Sequence, residues 1–165
     1  MHNVRMLRDV FPESPEFYLP VIAALVLMRL SHRLGMWPYA MLALPGTIAH
    51  EFAHYLVALV LRASPSFPTL LPRSTAHGWR LGSVTFRAGF VRALPIALAP
   101  TVLLPLALWW MATFMAPTTG GVHYLHAWVA AALVSASLPS SADFKLALPA
   151  LAVIAVAALA YAFLT

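Results

Sequence analysis

From residue 146 to residue 164 the chain carries no charged side chain. A helix needs about 20 consecutive apolar residues to cross the ~30 Å hydrocarbon core of a bilayer. Inside lipid, every backbone N–H and C=O must be paired within the protein, so a lone run of this kind has to be helical. Four other apolar stretches precede it. Residues 17–28 reach spanning length if the helix continues to about Leu34, with Arg29 snorkelling to the interface. The next runs from about Leu42 or Pro45 to Arg62, then come 90–116 and 122–138. Charged residues make up 9% of the chain, where soluble domains carry about 25%. The expectation is an all-α polytopic membrane protein. It has about five transmembrane helices in a single domain over residues 1–165, with the lipid bilayer as its surroundings.

Punctuation between the runs sets the connections. Residues 1–16 form a polar lead-in that Pro12 and Pro15 keep from being one helix. The long polar connection is 63–89. Pro65, Pro68 and Pro72 make its first half irregular, and its second half alternates loosely enough to predict a short β-hairpin with a turn near Gly82. Pro95, Pro100 and Pro105 recur along the third span and should bend it. Pro139-Ser140-Ser141-Ala142-Asp143 interrupts the chain before the fifth. Arg62, Arg73, Arg80, Arg87 and Arg92 cluster in or beside the second loop, whereas the loop after the third span has no Lys or Arg. The positive-inside rule then puts the second loop and the N-terminus in the cytoplasm. Arg29 and Arg33 run against that orientation and are outnumbered.

Two classes of chemistry drop out at once. The chain has no cysteine, so disulfides, thiolate metal sites and cysteine nucleophiles are excluded. Its net charge of +5 is spread over short loops, without the basic stripe of a nucleic-acid surface, so no nucleic-acid partner is expected.

What remains is His50-Glu51-x-x-His54, set inside the second apolar run. Four residues are about one helical turn, which places both imidazoles on one face. Two imidazoles so placed begin a metal site, and a Glu beside the first is placed to take a proton from a metal-activated water. Ionisable groups are costly in a bilayer, so such a cluster is read as functional. A catalytic zinc takes three protein ligands. Asp9, Glu13 and Glu16 belong to the polar N-terminus and Glu51 serves as base, which leaves Asp143 as third ligand. Asp143 also suits the start of the fifth helix, together with Ser140 and Ser141. His123 and His126 fall at the other end of the spans and read as interfacial. His77 reads as a loop histidine, and His2 and His32 carry no pattern.

At these residues the chain resembles a family. Pro45-Gly46-Thr47-x-x-His50-Glu51-x-x-His54 is followed by Gly82-Ser83-Val84, Ala97-x-Ala99-Pro100 and Pro139-Ser140-Ser141-Ala142-Asp143. Together they are similar to the small bacterial members of the site-2 protease family, which are intramembrane zinc metalloproteases. The similarity runs over about residues 42–147. It implies that His50, His54 and Asp143 bind Zn2+ and that Glu51 is the catalytic base. It also implies a transmembrane protein substrate and a place in the bacterial inner membrane. No Asn follows the histidine motif, so the side chain that assists the oxyanion in better-known members has no counterpart. The rival readings are a zinc-binding membrane scaffold or sensor without proteolysis, and a small transporter subunit. The second calls for polar residues along the other spans, and they are nearly absent.

Overall fold

The computed structural model describes residues 14–75 and 78–164, so His2, Pro12 and His77 lie outside the described residues. Helix α1 (Pro15–Leu34) opens with proline in its first turn, where the missing N–H would have no helical partner anyway. Gly35, at φ 125°, turns the chain directly into α2 (Met36–Val60). This helix starts earlier than the sequence predicts. Pro38 falls in its first turn and is harmless there, and Pro45 is accommodated in its interior.

The end of α2 is a Schellman closure. Arg62 takes the left-handed conformation at φ 54°. Its N–H bonds the Leu59 carbonyl at 3.0 Å, and the Ala63 N–H bonds that of Ala58 at 2.8 Å. The chain leaves as an extended segment. Strands β1 (Arg73–Thr75) and β2 (Gly78–Arg80) pair antiparallel, with Arg73 opposite Arg80 and Ser74 opposite Trp79. The hairpin is therefore present, but its strands close at the Thr75–Gly78 pair and not near Gly82. Below it the ribbon continues through mutual Thr69–Ser83 backbone bonds of 3.0 Å, then Ser66 N–H to Thr85 O and Arg87 N–H to Ala63 O, each 2.8 Å.

The third apolar run is one rod of changing pitch. Helix α3 (Phe90–Leu98) passes into a 3₁₀ turn over Ala99–Val102, then α4 (Leu103–Trp110), then a π turn over Met111–Met115. The prolines explain the first change: Pro100 cannot donate the helical bond to Ile96, and the Ala99 N–H takes that carbonyl instead. Helices α5 (Gly120–Ala136) and α6 (Ser141–Leu164) complete the chain.

The buried face of α5 is built of Ala127, Ala130, Ala131 and Ala132. It packs against Phe17, Val21 and Met28 of α1 and Met111 and Met115 of the π turn. Small residues let helix backbones approach closely in lipid. Large apolar side chains cover the outside instead, up to Phe163 at 88% exposure near the end of α6. That inversion suits a lipid environment. Among the described residues, three helical stretches, Pro15–Leu34, Phe90–Met115 and Ser141–Phe163, are long and apolar enough to cross a membrane. By length and composition this supports three of the five spans expected from sequence. Helix α2 has its apolar run interrupted by His50, Glu51 and His54, and α5 has only 17 residues, at the lower limit for a span.

Candidate functional site

The site is built where α2, α3, α5 and the start of α6 meet. Gly46 makes this possible. A Cβ at that position would stand 2.2 Å from the Ala132 carbonyl oxygen, so α2 and α5 touch backbone to backbone there. One turn further on, His50 Nδ1 donates to the Ala136 carbonyl at 2.8 Å. Both contacts step by one turn in the same sense, so the two helices run parallel.

The Ala136 carbonyl is available because of the break at Pro139. Continued helix would bond it to the Ser140 N–H. That N–H instead donates to Asp143 Oδ2 at 2.7 Å, and the Asp143 N–H donates back to Ser140 Oγ at 3.2 Å. This reciprocal cap starts α6 and fixes the Asp143 carboxylate at once. The same exchange occurs on the other side. With Pro100 unable to bond it, the Ile96 carbonyl keeps a lone pair toward the interior, and His54 Nδ1 donates to it at 2.7 Å.

Each imidazole thus carries a proton on Nδ1, and in its neutral form presents the Nε2 lone pair. His50 Nε2 and His54 Nε2 are 3.2 Å apart. Asp143 Oδ1 lies 3.3 Å from His54 Nε2, and Oδ2 lies 3.6 Å from His50 Nε2. In a tetrahedral zinc site with bonds of about 2.0–2.1 Å, neighbouring ligand atoms sit roughly 3.3–3.4 Å apart. The Nε2–Nε2 and His54–Asp143 distances are close to that spacing; the two Asp143 contacts go to different oxygens, and one ligand atom from each residue lies within 4.8 Å of the others. Two facing lone pairs at such a distance repel unless a proton or a metal ion lies between them. His50, His54 and Asp143 therefore form a group that could hold a metal ion. Asp143, the carboxylate that elimination left in the sequence, lies beside both imidazoles.

Glu51 is on the same turn of α2, 8% exposed, and lines a cavity of about 620 Å³ together with the three ligand candidates. This is within the usual range for a ligand site, roughly 300–1,000 Å³. The roof of the cavity is the extended segment from Trp79 to Val84, and its far wall is the start of α6. Arg80, at the end of β2, is within electrostatic reach of the Glu51 carboxylate.

Among the described residues, the other histidines stay apart from this cluster. His123 Nδ1 bonds the Met115 and Thr118 carbonyls at 3.2 and 3.1 Å, closing the turn into α5. His126 packs on Trp110 and Phe114, and His32 on Tyr39. The sequence motifs contain Gly46 and Gly82 but not the close contacts these glycines make, nor the two carbonyls that orient the imidazoles. The signals were present: a glycine one turn before His50, and prolines four after Ile96 and three after Ala136. Compared with family models, with curated proteins and with solved structures, the chain gives no match.

Proposed function

We propose that the chain is an intramembrane zinc metalloprotease of the site-2 protease type. The observation that carries the reading is the convergence of two Nε2 lone pairs and one carboxylate in a cavity that Glu51 also lines. His50, His54 and Asp143 would hold the zinc. Zinc bound there would lower the pKa of a water and polarise the scissile carbonyl.

The residues then divide the work. Glu51 takes the proton from the attacking water and returns it to the leaving amine. The Ala136 and Ile96 carbonyls hold the two imidazoles in the Nδ1–H tautomer. Ser140 holds the carboxylate. The roof supplies the peptide edge. Ser83, Thr85 and Arg87 bond to residues 63–69, so strand alternation turns the N–H and C=O groups of Gly82, Val84 and Phe86, which line the cavity, away from that partner. A substrate segment unwound from its own helix can pair along that edge as an added strand. The partner is therefore a transmembrane protein substrate.

The same reading places the chain in a bacterial inner membrane with a cytoplasmic N-terminus and water reaching the site from that side. Helices α2 and α5 cross as well, which makes five spans. Support comes from the lipid-type surface they share with the other three: Met41, Leu56 and Val60 on α2 and Val122 and Leu125 on α5 are exposed.

The test is cleavage of a transmembrane model substrate in detergent by zinc-loaded protein, wild type against Glu51→Gln. Glutamine keeps the shape and cannot act as a base. Zinc content should be unchanged and turnover should fall by about 10²–10⁴-fold. Zinc binding with no cleavage by the wild type would leave the chain as a metal-holding membrane scaffold.

A further inference from the structure

The backbone at Gly82 lies flush against the Glu51 side chain. A Cβ built there would stand 2.7 Å from Glu51 Cγ, 2.8 Å from Oε1 and 2.9 Å from Cδ. Non-bonded carbon atoms settle at about 3.5–4.0 Å. Any side chain at position 82 therefore has to move either its own backbone or the carboxylate by the better part of an ångström.

The backbone is the less free of the two. Ser83 exchanges both of its main-chain bonds with Thr69 at 3.0 Å, and the two hydroxyls meet at 2.9 Å. Backing residue 82 away would break that pair. The carboxylate would yield instead. No turn asks for glycine here, because the hairpin strands close before it, and its φ is not in the left-handed region. The close approach to Glu51 is the requirement left.

We propose that Gly82 is the positioning residue of the general base: its bare backbone fixes the side-chain conformation in which the Glu51 carboxylate lies between the metal ligands and the peptide-pairing edge. The proposal rests on the reading of Glu51 as base. It also ties substrate register to catalysis. The residue that presses on the base belongs to the same edge that would pair with the scissile segment, so a correctly paired substrate meets a correctly placed carboxylate.

The chain has three glutamates, Glu13, Glu16 and Glu51, which makes the contact readable without turnover. Protein labelled with 13C at the glutamate carboxyl carbon gives three resonances, and Glu51→Gln identifies the one that matters. In Gly82→Ala the Glu51 resonance should move while the other two stay, with zinc stoichiometry as in wild type. In zinc-loaded protein, kcat should fall by about 10–100-fold with little change in KM, the scale expected for a misplacement of about 1 Å. Gly82→Ser should behave likewise. Gly89→Ala, where an added Cβ meets nothing within 4 Å, should match wild type in both readouts. A purely structural role would lower zinc content and stability and leave the kcat-to-KM split unselective. An unmoved Glu51 resonance, or a Gly82→Ala enzyme turning over within twofold of wild type, overturns the proposal. A wild type that binds zinc and cuts nothing overturns the protease reading instead, so the two failures are told apart.

Discussion

Substituting Gly46 by Ala should weaken metal binding although residue 46 supplies no side chain to the metal site. The new Cβ would start 2.2 Å from the Ala132 carbonyl oxygen and 2.8 Å from its carbon. Close carbon–oxygen contacts between helices settle at about 3.3–3.6 Å, so α2 and α5 must separate by about 1 Å at this level. Both contact atoms on α5 are main chain, so no rotamer change relieves the clash. One turn further on, the His50 Nδ1 to Ala136 bond would open from 2.8 Å to roughly 3.8 Å, beyond hydrogen-bond range. Overpacking of this kind costs about 1–3 kcal/mol of stability. Loss of the group that orients a ligating imidazole costs about 10–100-fold in metal affinity. Competition with a zinc chelator, on detergent-solubilised protein, reads the second number. Gly121→Ala is the control, since a Cβ there meets nothing within 4 Å. A Gly46→Ala protein that holds zinc as tightly as wild type would refute the argument that the α2–α5 contact sets the imidazole.

Asp143→Ala should lose more affinity than any orienting residue, over about 100-fold, while Ser140→Ala should lose about tenfold and loosen the start of α6; the same chelator titration orders them. Reporter fusions after Thr75 and after Ser141 should both report cytoplasm, and one after Gly120 should report the exterior, because the arginines lie in the second loop and the third has none. Arg62→Gly should stabilise the protein by about 0.5–1 kcal/mol, seen as a higher Tm, since Arg62 holds a left-handed conformation at φ 54° that glycine adopts without a Cβ clash.

How much of this was legible in the sequence depends on the distance over which each feature is determined. The His50–His54 pair is local, because one helical turn fixes it. Asp143 could be reached by elimination among five acidic residues, since ligand counting needs no geometry. The orienting carbonyls were not reachable in that way. Which residue approaches Ala136 or Ile96 is decided by helix packing, although Pro139 and Pro100 already mark where a carbonyl loses its partner. Gly82 was read as a turn residue because glycine in a polar loop usually is one. Here its small size serves a tertiary contact, and no local pattern distinguishes the two uses. Helix α2 starts at Met36, ahead of the expected Leu42 or Pro45, because neither Pro38 nor Pro45 stops it. The first is neutral in an opening turn, and the second is carried by the packing around it. The hydropathy of α2 fell for the reason that makes the helix interesting: three ionisable residues replace apolar ones on its inner face.

The account stands or falls on whether water is delivered to a peptide bond at this site. Zinc-loaded wild-type protein and a transmembrane substrate incubated in 18O-labelled water provide that measurement, with the fragments read by mass spectrometry. The account predicts one 18O atom in the newly formed C-terminal carboxylate, no product from Glu51→Gln at equal zinc content, and loss of product when zinc is chelated. Intact substrate after incubation with fully zinc-occupied wild type, or product formed equally by Glu51→Gln, would contradict it.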